Sequence, residues 1–308
     1  MRFIERLEMK KNPDLSIIIL NYNTKDLLIK CLTSLEKVKK EVDFETIVSD
    51  NGSTDGSVEM IKSEFPLVKI IQGDQNIGFA KGNNRAKKLA EGKYVLFLNS
   101  DTVVQDGTLE KSIDYIEGEP KVGALTCKIV LLNGELDKDA RRSFPTPWVA
   151  FTHFSGLDRV FPKSKLFAKY WYGYLSADET CEVDVLQGAF FMVRKNILDE
   201  VGWFDEDYFL DGEDIDLCWK IKEKGWRIVY YPKVSIQHIK GATKGKKHHS
   251  FGKVTKEEKL KYVLAGVNSM EIFYKKRLWN KYPLMVSLLV VLGINFLRRL
   301  RYVKAFLT

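Results

Sequence analysis

Leu15-Ser-Ile-Ile-Ile-Leu20, running into Asn21-Tyr22-Asn23, is the stretch on which the fold turns. A short, β-branched apolar run stopped by polar residues is the signature of a strand buried on both faces. Residues 25–38 follow with Leu27, Leu28, Cys31, Leu32 and Leu35 at helical spacing, and Phe44-Glu-Thr-Ile-Val-Ser49 then runs into Asp50-Asn51-Gly52 as a second strand. This is one βαβ unit. Outward from it the alternation repeats: a helix over 57–65, a strand at 68–72, a helix over 80–91, and the strand Tyr94-Val-Leu-Phe-Leu98 ending in Asn99-Ser100-Asp101. Alternation of this kind predicts an α/β, Rossmann-like fold with a doubly wound, mostly parallel sheet. Ligands of such sheets bind beyond the carboxyl ends of the strands. Three polar clusters converge there: Asn21/Asn23, Asp50/Asn51 and Asn99/Asp101.

Further along, residues 144–174 lose periodicity in an aromatic-rich stretch containing Pro145, Pro147 and Pro162, which reads as a long irregular insertion and the expected place for acceptor contacts. Regular structure resumes with a strand-like segment at 181–194, a helix over 195–201, an amphipathic helix over 214–224 and a strand at 226–231.

The 308 residues are 45% apolar, enough for a substantial core, which excludes disordered and fibrous classes. The net charge of +8 first suggests nucleic acid or an anionic surface. Its location argues against nucleic acid. The last acid is Glu271, and beyond Tyr274 come Lys275, Lys276, Arg277, Lys281, Arg298, Arg299, Arg301 and Lys304, so the eight excess cations all belong to the C-terminal tail and the body is formally neutral. Cys31, Cys127, Cys181 and Cys218 form no C-x-x-C pair and have no metal spacing, as in a reducing compartment. Residues 1–13 alternate charge with apolar residues, unlike a secretory signal, so a cytoplasmic body is expected.

Two nucleotide motifs are missing where they would be needed. A dinucleotide site requires G-x-G-x-x-G directly after the first strand, and Asn21-Tyr22-Asn23 contains no glycine. Gly241-Ala-Thr-Lys-Gly245-Lys246-Lys247 has three intervening residues where a P-loop has four, and no Ser or Thr follows the lysine.

The motifs that are present form a set: Ile18-Ile-Leu-Asn21-Tyr-Asn23, Asp50-Asn-Gly-Ser-Thr-Asp-Gly-Ser57, Asn76-Ile-Gly-Phe-Ala-Lys-Gly-Asn-Asn84, Asn99-Ser-Asp101, and Gly188-Ala-Phe-Phe-Met-Val-Arg194 with Phe209-Leu-Asp-Gly-Glu-Asp214. In this order, across residues 14–240, they resemble the inverting family-2 glycosyltransferases of GT-A fold, and within them the bacterial rhamnosyltransferase-like branch that builds surface polysaccharides.

That resemblance implies a nucleotide-sugar donor, with L-rhamnose from dTDP-rhamnose as the first expectation and a UDP-hexose as the alternative. It assigns Asn21, Asn23, Asp50 and Asn51 to the nucleoside, although Asp50-Asn-Gly-Ser-Thr-Asp-Gly is also ordinary turn chemistry. Asn76, Gly78 and Asn83 are expected to meet the donor from a helix start, or in the glycines' case to permit close packing. Asn99-Ser100-Asp101 stands where the family carries its D-x-D motif, with Asn99 replacing the first Asp. Asp101 is then the metal ligand for Mg²⁺ or Mn²⁺, joined by His238; a lone histidine without the resemblance would be structural. Asp214 is the implied general base beside Glu213, helped by the crowding of nearby carboxylates. Gly188 and Ala189 are expected beneath the donor sugar or in tight strand packing, and Trp203 in the acceptor loop or as an ordinary core aromatic.

The lysine-rich stretch 241–261 reads as a mobile linker, with Lys244, Lys246 and Lys247 as phosphate contacts or as solvated charge. It divides a domain over 1–240 from a helical extension over 262–308. Residues 283–297 are apolar except for Ser287 and Asn295, and fifteen residues fall short of the roughly 20 that span a bilayer. Flanking Trp279, Tyr282, Arg298, Arg299 and Arg301 suit an interfacial helix on an anionic membrane, at the inner face of the plasma membrane, where a lipid-linked glycan acceptor is presented. Packing on the body or in a homodimer is the alternative. A non-catalytic sugar-nucleotide or glycan-binding module is the rival from another class.

Overall fold

The computed structural model describes residues 12–239 and 256–307. At its centre, β1 (Leu15–Asn21) lies between β2 (Phe44–Asp50) and β4 (Tyr94–Asn99), parallel to both. Leu15, Ile17, Ile18 and Ile19 are fully buried, as an apolar run without alternation requires. The register pairs Asn21 with Asp50 and Leu20 with Asn99, so the three polar strand ends lie side by side.

The helix α1 (Lys25–Val38) buries Leu27, Leu28, Cys31, Leu32, Leu35 and Val38 on one face. The chain continues through α2 (Ser57–Glu64), the edge strand β3 (Lys69–Gln72) and the short α3 (Phe79–Asn84). The expected helix over 80–91 is shorter because a 3₁₀ turn over Arg85–Lys88 succeeds α3.

The nine-stranded sheet runs β3-β2-β1-β4, then β10 (Phe190–Arg194), β6 (Val122–Leu131), β11 (Arg227–His238) and β5 (Thr102–Val104), with β8 (Cys181–Glu182) pairing β11 beside the path. Three of its strands run against the rest: β5, β8 and β10. The sheet is thus mixed, parallel in its N-terminal half and interrupted where β10 enters between β4 and β6. The segment 181–194 is accordingly three short strands, the middle one being β9 (Val185–Leu186), which pairs with β7 (Arg141–Arg142) in a separate two-stranded sheet.

The helix α4 (Thr108–Gly118) lies in the chain between β5 and β6, and β11 is the last strand of the sheet in chain order. The latter outruns its expected end at 231. Pro232 lacks an amide donor, and the register shifts between Tyr231 and Ser235, after which pairing with β6 resumes as far as His238. The insertion contains α5 (Pro147–Phe154), started by Thr146 and a proline, and the one-turn α6 (Leu157–Val160). The helix α7 (Lys195–Val201) has its expected bounds, and α8 (Glu213–Glu223) begins one residue early.

The C-terminal helices α9 (Lys256–Phe273) and α10 (Leu284–Leu307) are joined by a π-turn and a 3₁₀ turn. They build a second core from Tyr208, Val267, Phe273, Tyr274, Leu278 and Ile294, against which Phe144, Ile215 and Trp219 of the body pack. Arg277 grips Asp216 through two hydrogen bonds of 2.7 and 3.0 Å, and Asp216 is fully buried. Lys276 reaches Asp205 and Asp207, each at 2.6 Å. Lys275 and Arg298 pair with Glu271, and Lys281 with Glu223. Five of the eight tail cations therefore face acids of the protein itself, and three of these, Lys276, Arg277 and Lys281, are counter-charge for the acidic 205–223 region. No helix among the described residues is long and apolar enough to cross a membrane.

Candidate active site

One pocket opens at the carboxyl ends of the parallel strands. It is lined on the sheet side by Leu20, Asn51, Asn99 and Ser100, on the α3 side by Asn76, Gly78 and Phe79, and by Gln187 and Gly188 ahead of β10. The loop and first turn of α8 close it with Phe209, Leu210, Glu213 and Asp214. Strand ends and helix start thus face one space, as the register of β1, β2 and β4 dictates.

Eight of the sixteen residues expected at the site line this pocket: Asn51, Asn76, Gly78, Asn99, Ser100, Gly188, Glu213 and Asp214. Asn51 donates to the carbonyl of Gly78 at 3.0 Å and to Asn76 Oδ1 at 3.2 Å, and its own Oδ1 is buried without a hydrogen-bond partner. Gln187 Oε1 is buried in the same condition. Orphaned acceptors of this kind call for an explanation, and a ligand donor supplies one. Gly78 serves the pocket and packing together: its φ is +94°, and a Cβ there would come within 2.4 Å of the Phe209 carbonyl. Gly188 leaves room for the Phe79 ring, which a Cβ would meet at 3.0 Å.

The nucleoside residues divide. Asp50 is fully buried and organises the turn: Oδ1 accepts from the amides of Gly52 (3.0 Å) and Ser53 (2.8 Å), and Oδ2 from Asn21 Nδ2 (2.8 Å). Asn21 and Asn23 latch the same turn, Asn23 Oδ1 accepting from the amide of Thr54 at 2.8 Å. These three lie behind the pocket wall, since side chains at a strand end bond most readily to the turn that follows. Asn83 donates to the Phe79 carbonyl within α3, and Ala189 is buried beside the end of β4, its carbonyl accepting from the Asn99 amide. Trp203 is corrected from acceptor loop to core: it is 1% exposed, stands edge-on to Phe97 and donates from Nε1 to Asp199 at 2.8 Å. Phe209 and Leu210 line the pocket in its place.

Asp101 and His238 do meet. Asp101 follows the end of β4 and His238 ends β11, and Nε2 lies 3.2 Å from Asp101 Oδ1. Neither oxygen of Asp101, which is 1% exposed, has a hydrogen bond of good geometry. The other imidazole nitrogen is held by Asp137 Oδ2 at 3.0 Å. Burial opposes charge on the imidazole, but the adjacent carboxylates of Asp101 and Asp137 outweigh it and push the pKa up to about 9. A carboxylate short of partners beside an imidazole oriented by a second carboxylate is a donor set that fits Mg²⁺ or Mn²⁺. Among the described residues no three His, Cys, Asp or Glu side chains are grouped as a metal site.

Asp214, 7% exposed, is set on the first turn of α8 by Asp211 and Gly212, both at positive φ (64° and 93°). A Cβ on Gly212 would stand 3.0 Å from Ser269 and 3.2 Å from the Tyr208 ring, so the C-terminal helices press on this turn. Carboxylate crowding does not describe the site. Asp214 Oδ2 is paired with Arg142 at 2.5 Å, while Asp205 and Asp216 have their own cations from the tail. Burial works against the Arg142 guanidinium, and the neighbouring Asp214 more than compensates, holding its pKa above the ordinary value. Arg142, Asp137, Gln187 and Tyr262 are the site residues that sequence reasoning missed. Tyr262 on α9 lines the pocket and accepts from Asn76 Nδ2 at 2.8 Å, and Lys261 Nζ sits 3.6 Å from the centre of the Phe209 ring. The division expected after residue 261 therefore runs through a wall of the pocket. Lys244, Lys246 and Lys247 lie outside the described residues.

A family model for glycosyl transferase family 2 matches residues 16–202. The chain is 27% identical over 243 residues to an N-acetylglucosaminyl-diphospho-decaprenol L-rhamnosyltransferase of Mycobacterium tuberculosis, covering 75% of this chain and 78% of that one. It is 25% identical over 240 residues to a poly-beta-1,6-N-acetyl-D-glucosamine synthase of Staphylococcus aureus, covering 74% of this chain and only 52% of the synthase. Among solved structures, a mannosyltransferase of Pyrobaculum calidifontis in complex with GDP-Man and Mn²⁺ superposes with a TM-score of 0.55 at 17% identity, over 89% of this chain and 70% of that one. The TarS protein of S. aureus in complex with UDP gives 0.51 at 21% identity, over 83% and 65%. At these identities the structures speak for the fold, which is GT-A.

Proposed function

The chain belongs to glycosyl transferase family 2 and is a glycosyltransferase, and we propose that it transfers a sugar, with inversion, from a nucleotide donor to a glycan carried on lipid. The observation that supports this most is the single pocket lined at once by Asn99-Ser100 of the β4 end and by Glu213-Asp214 of the α8 start. L-Rhamnose from dTDP-rhamnose is the donor we favour, since a curated relative matched over 75% of this chain is a rhamnosyltransferase acting on a decaprenyl-linked substrate. A UDP-hexose is the second reading, favoured by the S. aureus structure with UDP.

In this reading Asn51 and Gln187 offer their unpartnered oxygens to the donor, and Tyr262 and Asn76 form its roof. Asp101 and His238 would hold Mg²⁺ or Mn²⁺, whose chemistry is to neutralise the leaving diphosphate as a Lewis acid. Asp137 orients the imidazole. Asp214 takes the proton from the acceptor hydroxyl as that oxygen attacks the anomeric carbon on the face opposite the diphosphate. Arg142 fixes Oδ2, and each Asp214 oxygen keeps a lone pair for the hydroxyl. The exposed apolar face of α10, from Leu284 to Val303, lies on the cytoplasmic face of the membrane, where a lipid-linked acceptor is met.

A thermal-shift panel of dTDP- and UDP-sugars with and without Mn²⁺ tests the reading, because only ligands of the native state stabilise it. Stabilisation by dTDP-rhamnose that grows with Mn²⁺ is expected. A response to UDP-sugars alone would replace the donor, and no response to any of them would overturn the function.

A further inference from the structure

Large exposed apolar side chains are unevenly distributed over this molecule. Of eighteen among the described residues, nine lie on α10, six lie between 148 and 166, and three are scattered, so two segments account for nearly all of them. The second segment is the insertion, with Trp148, Phe151, Phe154, Val160, Phe161 and Leu166 outward. Its exposed charges are all positive: Arg159, Lys163, Lys165 and Lys169. Its one acid, Asp158, is buried against His153 Nδ1 at 2.7 Å. The scaffold beneath is tied down. Trp148 Nε1 donates to the Leu166 carbonyl at 3.0 Å, and the Phe167 ring sits between those of Trp148 and Phe161, at 6.2 and 5.3 Å. The insertion leaves the body at Phe144, which packs on Trp219 and stacks on Phe273 of α9, the junction that also seats the C-terminal helices.

We propose that residues 147–169 are a membrane contact, laying their aromatic rings into the headgroup boundary of an anionic bilayer. Exposed aromatic and aliphatic side chains interleaved with lysine and arginine suit that boundary. A second copy of this chain is the poorer occupant, because a two-fold contact would set the same four cations against themselves. The inference stands on the insertion alone and goes beyond the proposed chemistry: neither the donor nor the α10 face enters it.

The test is co-sedimentation of the full chain with phosphatidylcholine vesicles, with and without phosphatidylglycerol. Replacing Trp148, Phe151 and Phe154 together by Ser should weaken partition at least roughly tenfold. Lys163→Gln, Lys165→Gln and Lys169→Gln together should reduce the preference for phosphatidylglycerol. Because the serine variant exposes the fold to risk, a conservative arm accompanies it. Brominated lipid should quench tryptophan fluorescence in the natural chain, and also in a chain with Leu289, Leu292 and Phe296 changed to Ser, but clearly less in Trp148→Phe. Equal quenching in Trp148→Phe, or unchanged partition of the serine variant, would overturn the proposal. A fall in oligomeric mass of the serine variant without loss of partition would overturn it in favour of a second copy.

Discussion

Asp101 and Asp214 are both buried carboxylates at the end or start of a regular element, and they are partnered in contrasting ways. Asp101 faces an imidazole, with neither oxygen in a hydrogen bond of good geometry. Asp214 has a guanidinium at 2.5 Å and the amide of Ile215 at 2.8 Å. Arginine does not give up its proton, whereas histidine does. The first pair can therefore exchange a proton for a metal ion. In the second the guanidinium keeps its protons and only the carboxylate is left to take one, a geometry that fixes a base without neutralising it. The difference teaches why two similar residues, each at the rim of one sheet, are read as ligand and as base.

The largest effect that would break this contrast comes from Asp101→Asn. Calorimetry should show Mn²⁺ binding lost, and transfer should fall about 10³-fold, since a bound cation supplies several kcal/mol of charge stabilisation. Retention of Mn²⁺ binding would make Asp101 merely structural. Next, Arg142→Met leaves Asp214 buried without its counter-charge and should cost about 3 kcal/mol in urea unfolding. Adding Asp214→Asn should restore part of that loss, as expected of coupled residues. Asp137→Asn is milder. It should weaken Mn²⁺ binding by about 10- to 100-fold and leave the stability contributed by Arg142 untouched.

The smallest effect concerns the ion pairs that seat the tail beside Asp214. Burial alone would raise the Asp205 pKa, but hydrogen bonds from Lys276 and the Asp207 amide outweigh it and lower it. A depressed carboxylate contributes stability above its unfolded pKa of about 3.9, and that contribution disappears as pH falls through the lower folded value. Melting temperature should thus decline less steeply on acidification in Lys276→Met than in the natural chain.

The parallel half of the fold was legible because β1, α1, β2 and β4 are local: each carries its own period, and each strand ends in polar residues. The mixed half was not. Strand β10 is inserted antiparallel by pairing across almost a hundred residues, which no local pattern announces. A signal was nonetheless available over 105–131, where Leu109, Ile113 and Ile116 have helical spacing ahead of the apolar Val122–Leu131. At the site, motif positions found the pocket, yet they did not separate side chains facing the ligand from those bonding their own turn. Asp50 and Asn21 are of the second kind. Arg142 belongs to none of the motifs, and Tyr262 reaches Asn76 from 186 residues away, so only tertiary structure brings them in.

The central claim is that Asp214 is the base. Asp214→Asn should lower transfer by about 10²- to 10⁴-fold, the usual contribution of general base catalysis, while donor and Mn²⁺ binding measured on the same preparation stay within about twofold of the natural chain. Transfer that survives the substitution, or donor binding that disappears with it, would contradict the account.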